Sequence, residues 1–297
     1  VYPKEYEIFL SYLSFATFDI GFMMSYSCLF SHNFYSRLLL ATITPIGVLV
    51  VLAGACYVAK KRYKTCAYKM AMVQSKHLAA VLFFTFFVYS SVSYTIFQTF
   101  ICDALDDGDV YLQADYSLKC STEQHDAYTI YAALMVVVYP VGIPVFFLWW
   151  LLRNSRYLKM SGRHSVAHLQ PFSNIWGTYR PSRYYYEVVE CCRRITLTMA
   201  SAFLIPNTVN QIAVVLSLAA VFLFISEWMS PFARGADMSL YRWGNGVVLA
   251  SMYVALLIKT NDSNQRSGVV SVFGSVLIIA NVVMVVALLV QTVLLAK

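Results

Sequence analysis

Charged residues are scarce in this sequence. They make up 12% of its 297 residues, about half of the roughly 25% usual in soluble domains. A soluble fold of this length cannot cover itself with so little polar surface, so the soluble classes are excluded. Histidine is scarce too, at five residues. His32 and His77 stand at the margins of apolar stretches, which excludes a membrane cytochrome with histidines inside its helices. No lysine sits deep in such a stretch: Lys259 is at the end of one and Lys297 follows the last. That excludes a retinal protein. The patterns G-x-S-x-G, H-E-x-x-H and the P-loop are missing, so no enzyme is expected. No segment has the basic start and small-residue cleavage site of a signal peptide.

What is present in excess is apolar: 59% hydrophobic residues, with 16% aromatic. A bilayer core needs about 20 apolar residues per helix. Eight stretches qualify, approximately Tyr6–Phe30, Ser36–Ala59, His77–Ile101, Tyr128–Leu152, Tyr185–Leu204, Val209–Met229, Tyr241–Lys259 and Val269–Leu295. Asp19 interrupts the first, which reads either as a full span or as a helix lying in the interface. The expected fold is all-α: a polytopic membrane protein whose residues 1–297 form one bundle of about eight transmembrane helices. The bilayer is then the first partner.

The net charge of +7 would suggest nucleic acid in a soluble protein; here the loops account for it. Lys60, Lys61, Arg62, Lys64, Lys69 and Lys76 fill the second connection, and Arg153, Arg156, Lys159, Arg163, Arg180 and Arg183 fill the fourth. Neither contains an acid. The loop between them holds Asp103, Asp106, Asp107, Asp109, Asp115, Glu123 and Asp126 against Lys119 alone. The positive-inside rule puts the basic loops in the cytoplasm and the acidic loop outside. Cys102 and Cys120 bracket the acidic loop, where a disulfide requires an oxidising compartment. The sequon Asn261-Asp262-Ser263, a glycosylation site, falls in a loop that the same count puts outside. Passage through the secretory pathway follows.

Three stretches carry a family resemblance. Phe97-Gln98-Thr99-Phe100-Ile101-Cys102 leads through Tyr111-Leu112-Gln113-Ala114-Asp115-Tyr116-Ser117 to Cys120. Then come Tyr139-Pro140-Val141-Gly142-Ile143-Pro144 and Tyr184-Tyr185-Tyr186-Glu187-Val188-Val189-Glu190-Cys191-Cys192-Arg193-Arg194. Together they resemble the TRP-like or polycystin-like C-terminal transmembrane module of very large surface proteins in algae, oomycetes and other protists. The likeness is strongest over Phe97–Arg194. It implies the membrane part of a larger surface protein in a plasma, ciliary or flagellar membrane, with ion conduction or channel association second. Extracellular domains and other membrane subunits are the partners it suggests. A non-conducting anchor for an extracellular structure is the alternative. The pattern departs from a TRP or polycystin channel at Thr260–Gly268, which is too short for a re-entrant pore helix and filter.

Four groups of residues are functional candidates. Asp103, Asp106, Asp107 and Asp109, beside the turn-forming Gly108, offer clustered oxygens to Ca2+. Their spacing fails the EF-hand pattern, and the plainer reading is a solvated loop closed by the disulfide. No other cofactor is expected. Glu187, Glu190, Arg193 and Arg194 fall inside the fifth stretch. Glu190 and Arg194 are four apart, with Glu187 on the same face, so an ion pair can form along the helix. The arginines lie about 15 Å deep if the helix enters at Tyr184; entry further along leaves the glutamates at the interface and the arginines snorkelling. Arg153, Arg156 and Lys159 recur every third residue, yet they follow a complete apolar span. They read as a contact for anionic lipid headgroups. His164 and His168 could share a metal, but a solvated basic loop is the better reading. Pro140 and Pro144 flank Gly142 inside the fourth stretch, and Pro45 lies inside the second; each marks a hinge or a fixed bend.

Overall fold

The computed structural model describes residues 33–62, 67–105, 108–160, 167–204 and 208–260, together with 276, 278–283, 286–287 and 290 of the last apolar stretch. The described chain is mostly helical. It divides into two compact units, one over Phe18–Phe203 and the other joining Val1–Thr17 to Leu204–Lys297. Four described helices are long and apolar enough to cross a membrane: Phe34–Arg62, Met72–Gln98, Glu123–Arg153 and Val209–Met229. Each coincides with an expected span. Tyr6–Phe30 lies outside the described residues, as does much of Val269–Leu295.

In the first unit, α1 (Phe34–Arg62) ends on Lys60, Lys61 and Arg62, cations that suit the negative end of the helix dipole. Its buried stripe is Phe34, Tyr35, Leu38, Ala41, Thr42 and Pro45, a helical repeat confined to the first half. Beyond Pro45 the side chains turn outward, with Val50 and Val51 exposed, as lipid-facing residues of a span would be. The central element is α2 (Ala67–Gln98), which packs against α1, the following helices and the connection before the last helix of this unit.

The acidic loop departs from the expectation of a merely solvated segment. It folds into three antiparallel strands in the order β1 (Cys102–Ala104), β2 (Val110–Leu112), β3 (Asp115–Lys119). Gly108, at φ +82°, makes the tight turn between the first two, a backbone conformation other residues rarely adopt. So small a sheet needs an apolar face packed on something else. Leu112 supplies it: fully buried, it joins Phe34, Tyr35, Leu38, Val92, Ile96 and Tyr139 in one core cluster. Cys102 and Cys120 are disulfide-bonded with Cα atoms 6.5 Å apart, tying the end of α2 to the start of α3.

Helix α3 (Glu123–Val136) starts at Thr122, whose hydroxyl accepts the His125 amide at 3.2 Å, an N-cap. It continues through a π-helical turn, Val137–Val141, into α4 (Gly142–Arg153). Next come the short α5 (Ser155–Leu158), a 3-10 turn over Ala167–Phe172, α6 (Ser173–Trp176), another 3-10 turn at Pro181–Arg183 and α7 (Tyr186–Phe203). The described part of this basic connection is more than a solvated loop. Leu158, Leu169, Ile175, Trp176 and Tyr184 are buried in a second core cluster with Tyr89, Phe147, Leu151 and Cys191. The Trp176 indole N–H donates to the Leu169 carbonyl at 3.2 Å, and the Trp150 and Phe172 rings stack at 3.9 Å.

The described part of the second unit is built on α8 (Val209–Met229) and α9 (Gly235–Thr260), which pack against each other. Thr208 caps α8 by accepting the Gln211 amide. Ser230, at φ +40°, ends it in the left-handed conformation typical of helix C-termini. Arg242 of α9 grips Glu227 of α8 through two hydrogen bonds of 2.6 and 2.7 Å.

Candidate functional site: a buried acid–arginine cluster beside a π-bulge

Helix α7 is amphipathic in an unusual sense. Its buried residues Tyr186, Glu187, Glu190, Cys191 and Ala202 include two carboxylates, and burying a carboxylate is costly unless it is paired and hydrogen-bonded. Both are hydrogen-bonded, and Glu190 is ion-paired as well. It receives Arg193 in a bidentate fork, Nε to Oε2 at 2.9 Å and Nη2 to Oε1 at 2.5 Å, and Arg194 Nε at 3.3 Å. The fork makes Arg193, three residues on, the closer partner; the expected Glu190–Arg194 pair is present and longer. Bidentate arginine–carboxylate pairs are among the strongest hydrogen-bonded pairs in proteins. The Glu190 side chain is 8% exposed, against 18% for Arg193 and 32% for Arg194.

Glu187 is satisfied differently. The Tyr179 hydroxyl donates to its Oε2 at 2.8 Å. Burial, reinforced by the adjacent Glu187 carboxylate, pushes the Tyr179 phenol well above its usual range, which keeps it a donor. Arg194 also lies over the Phe86 ring of α2, 4.0 Å from its centroid, a cation–π contact. The cluster carries two acids and two arginines. It is anchored on one side by the basic connection and on another by α2.

One turn along α2, Tyr89 reaches the other irregular feature. Its hydroxyl donates to the carbonyl of Pro140 at 3.2 Å. Pro140 lies in the π-helical turn, and Pro144, four residues on, has no N–H with which to return the α-helical bond to that carbonyl. The Val137–Val141 segment is thus a widened turn inside a long continuous helix. Tyr139 on the same turn donates to the Thr42 carbonyl of α1 at 2.7 Å, and the Thr42 and Tyr131 hydroxyls are 2.6 Å apart. Gly142 is required here, since a Cβ would sit 2.8 Å from the Val137 carbonyl oxygen.

The other candidates are dispersed. Asp103 accepts from Tyr116 at 2.8 Å and Gln113 at 3.5 Å, while Asp109 pairs with Lys119. Asp106 and Asp107 lie outside the described residues. Asp115, which the sequence offers only as one of the acids of the loop and as part of the Tyr111–Ser117 stretch, accepts the Phe34 amide at 3.1 Å and the Ser117 amide and hydroxyl at 3.1 and 2.7 Å. Its partial burial opposes ionisation, but these hydrogen bonds outweigh it and hold the carboxyl below its ordinary value. Arg153, Arg156 and Lys159 are exposed. Arg153 stands over Trp149 at 5.7 Å and Lys159 over Tyr184 at 5.9 Å. His168 falls in the first 3-10 turn; His164 and Asn261 lie outside the described residues. Tyr179, Phe86 and Tyr89 escaped the sequence reading altogether, because no spacing rule links a loop tyrosine or a second helix to α7.

Compared with known proteins, the chain matches no family model, no curated protein and no solved structure.

Proposed function

We propose that this chain is the multi-span membrane module of a larger TRP-like surface protein and that its role is channel-like or channel-associated. The reading includes about eight spans, counting Tyr6–Phe30, α7, α9 and Val269–Leu295 with the four apolar helices, and no catalytic activity. The basic connections face the cytoplasm, where Arg153, Arg156 and Lys159 meet anionic lipid heads. The disulfide-bonded sheet and a glycosylated Asn261 face outward, in a plasma, ciliary or flagellar membrane reached through the secretory pathway.

The observation that carries this reading is the Glu187–Glu190–Arg193–Arg194 cluster on α7. Intramembrane charges are costly and mark surfaces that face other helices or water-filled cavities. A buried acid–arginine cluster next to a π-bulge, where helices can change pitch, suits a path that opens between helices. Reconstitution into liposomes with a cation-flux assay tests it. Flux that changes with Glu190→Gln is the expected result. Absence of flux under voltage, tension and calcium would sink conduction.

A second reading, the non-conducting anchor, is favoured by a different observation. The outer sheet is fixed to the helices by the Asp115–Phe34 bond, buried Leu112 and the disulfide. Such fixtures suit transmission of load from an extracellular structure, and this reading expects no flux at all.

A further inference from the structure

The environment of the disulfide contains a third side chain with metal-binding chemistry. His125, in the first turn of α3, is buried at 6% exposure, and its Nε2 lies 3.7 Å from Cys102 Sγ. The two sulfurs and a ring nitrogen of His125 all lie within 4.8 Å of one another. The imidazole is held in place from its other side. Tyr35 Oη is 3.1 Å from Nδ1, and Tyr35 is itself clamped by parallel stacking on Tyr128, with centroids 4.1 Å apart. A hydrogen-bond partner on one ring nitrogen while the other faces a ligand site is the outer-shell arrangement of metal-binding histidines, and here a hydroxyl takes that place.

We propose that Cys102, Cys120 and His125 form a redox-gated site for a thiophilic divalent cation of the zinc class. The gate is the disulfide. While it is closed, the sulfurs are bonded to each other and are poor ligands. A thiol reductant, either a small-molecule thiol or a dithiol protein, opens it. Two electrons and two protons pass to the cysteines, and the reductant leaves as its own disulfide. The cation then takes two thiolates and the imidazole, releasing the two thiol protons.

The geometry fits that product. Tetrahedral zinc, with Zn–S about 2.3 Å and Zn–N about 2.0–2.1 Å, sets sulfur and nitrogen about 3.6 Å apart and two sulfurs about 3.8 Å apart. The Cys102–His125 separation of 3.7 Å already matches. The sulfurs need to move apart, and Cys120 Sγ, which lies within 4.8 Å of the imidazole, needs to reach the same separation from it. Two thiolates and an imidazole select zinc-like ions over calcium, which prefers oxygen. Three protein ligands leave the fourth position to water. The metal would replace the disulfide as the tie between the end of α2 and the start of α3, so the strands and helices keep their places in both states. This inference is independent of the channel reading.

The experiment uses the full chain in nanodiscs, reduced with a phosphine, which does not compete as a thiol ligand, and titrated with Co2+ under anaerobic conditions. The expected result is a thiolate-to-cobalt charge-transfer band in the near ultraviolet that appears only after reduction and bleaches when Zn2+ is added. Tyr35→Phe should keep the band but weaken affinity by about 10–100-fold, the usual effect of losing an outer-shell partner. His125→Ala should shift the cobalt spectrum and bind more weakly still. Circular dichroism accompanies each titration. No band in the reduced wild type, equal cobalt affinity in wild type, Tyr35→Phe and His125→Ala, or loss of helix on reduction would each overturn the proposal.

Discussion

The hydroxyl of Tyr89 on α2 donates to the carbonyl of Pro140, the acceptor that Pro144 leaves without its helical donor. A tyrosine from one helix thereby completes the backbone bonding of another. Tyr89→Phe removes only that donor from a buried carbonyl. A loss of about 0.5–2 kcal/mol is expected, the lower end reflecting the modest worth of interhelical hydrogen bonds in membranes. Thermal unfolding in nanodiscs should show a lower Tm. A Tm equal to wild type means that the bulge satisfies itself without α2.

Two glycines provide a matched comparison. At Gly142 an added Cβ meets the Val137 carbonyl oxygen at 2.8 Å, while at Gly47 in α1 nothing lies within 4 Å. Gly142→Ala should therefore lower Tm, because backbone has to shift and the π-turn with it. Gly47→Ala should leave Tm unchanged or raise it by the helix-propensity difference, about 1 kcal/mol at most. Equal behaviour of the two variants would show that the close approach at the bulge is easily relieved.

Much of this architecture was legible in the sequence, and the gaps have physical causes. Long apolar runs locate α1, α2, α3–α4 and α8 because a span must satisfy its backbone internally and present apolar side chains. The sheet stayed hidden because strands of three to five residues are too short for an alternation to emerge from an acidic loop. The core inside the basic connection stayed hidden for a related reason: Leu169, Ile175, Trp176 and Tyr184 recur at no single period. Pro140 and Pro144 announced an irregularity, but prolines four apart do not distinguish a kink from a π-turn. The acid–arginine cluster was visible as residue types. So was the Glu190–Arg194 pair; the closer fork from Arg193 was not, since positions three and four along a helix are equally adjacent to Glu190, and rotamer and burial select it.

The Asp115 carboxylate ties the three-stranded sheet to α1, and its titration should be visible. Its carboxyl is depressed below the ordinary value of 3.8. Its stabilising effect is therefore fully present above pH 3.8 and is lost as pH falls through the lower folded value. Hydrogen exchange at the Phe34 and Ser117 amides should accelerate across that acidic window. Asp115→Asn should exchange faster at neutral pH and lack this step. A wild-type protein whose exchange at these two amides follows only the intrinsic pH trend would show that the hydrogen bonds add nothing.

Orientation is testable at single positions. Expressed in a eukaryotic cell, the chain should carry glycan at Asn261, and Cys102 and Cys120 should resist alkylation until reduced. A cysteine at Ser161 should react only with membrane-permeant reagents. Labelling of that position by an impermeant reagent on intact cells would invert the topology.

The buried charges on α7 support the most discriminating test. Glu190 serves two arginines at once, so Glu190→Gln leaves two cations without their carboxylate. Breaking a buried pair in this way costs about 3–5 kcal/mol, a large part of the total stability of many proteins. Arg193→Gln removes the bidentate fork and should cost more than Arg194→Gln, which removes a 3.3 Å contact and the stacking on Phe86. The double variant Glu190→Gln/Arg193→Gln should recover part of the loss, because fewer charges remain unpaired. Tm in nanodiscs measures all four variants, and their coupling follows from a double-mutant cycle. If every single variant melts like wild type, the cluster is hydrated and does not hold the fold together. If the double variant folds well yet loses a measured cation flux, the same residues line the path that ions take.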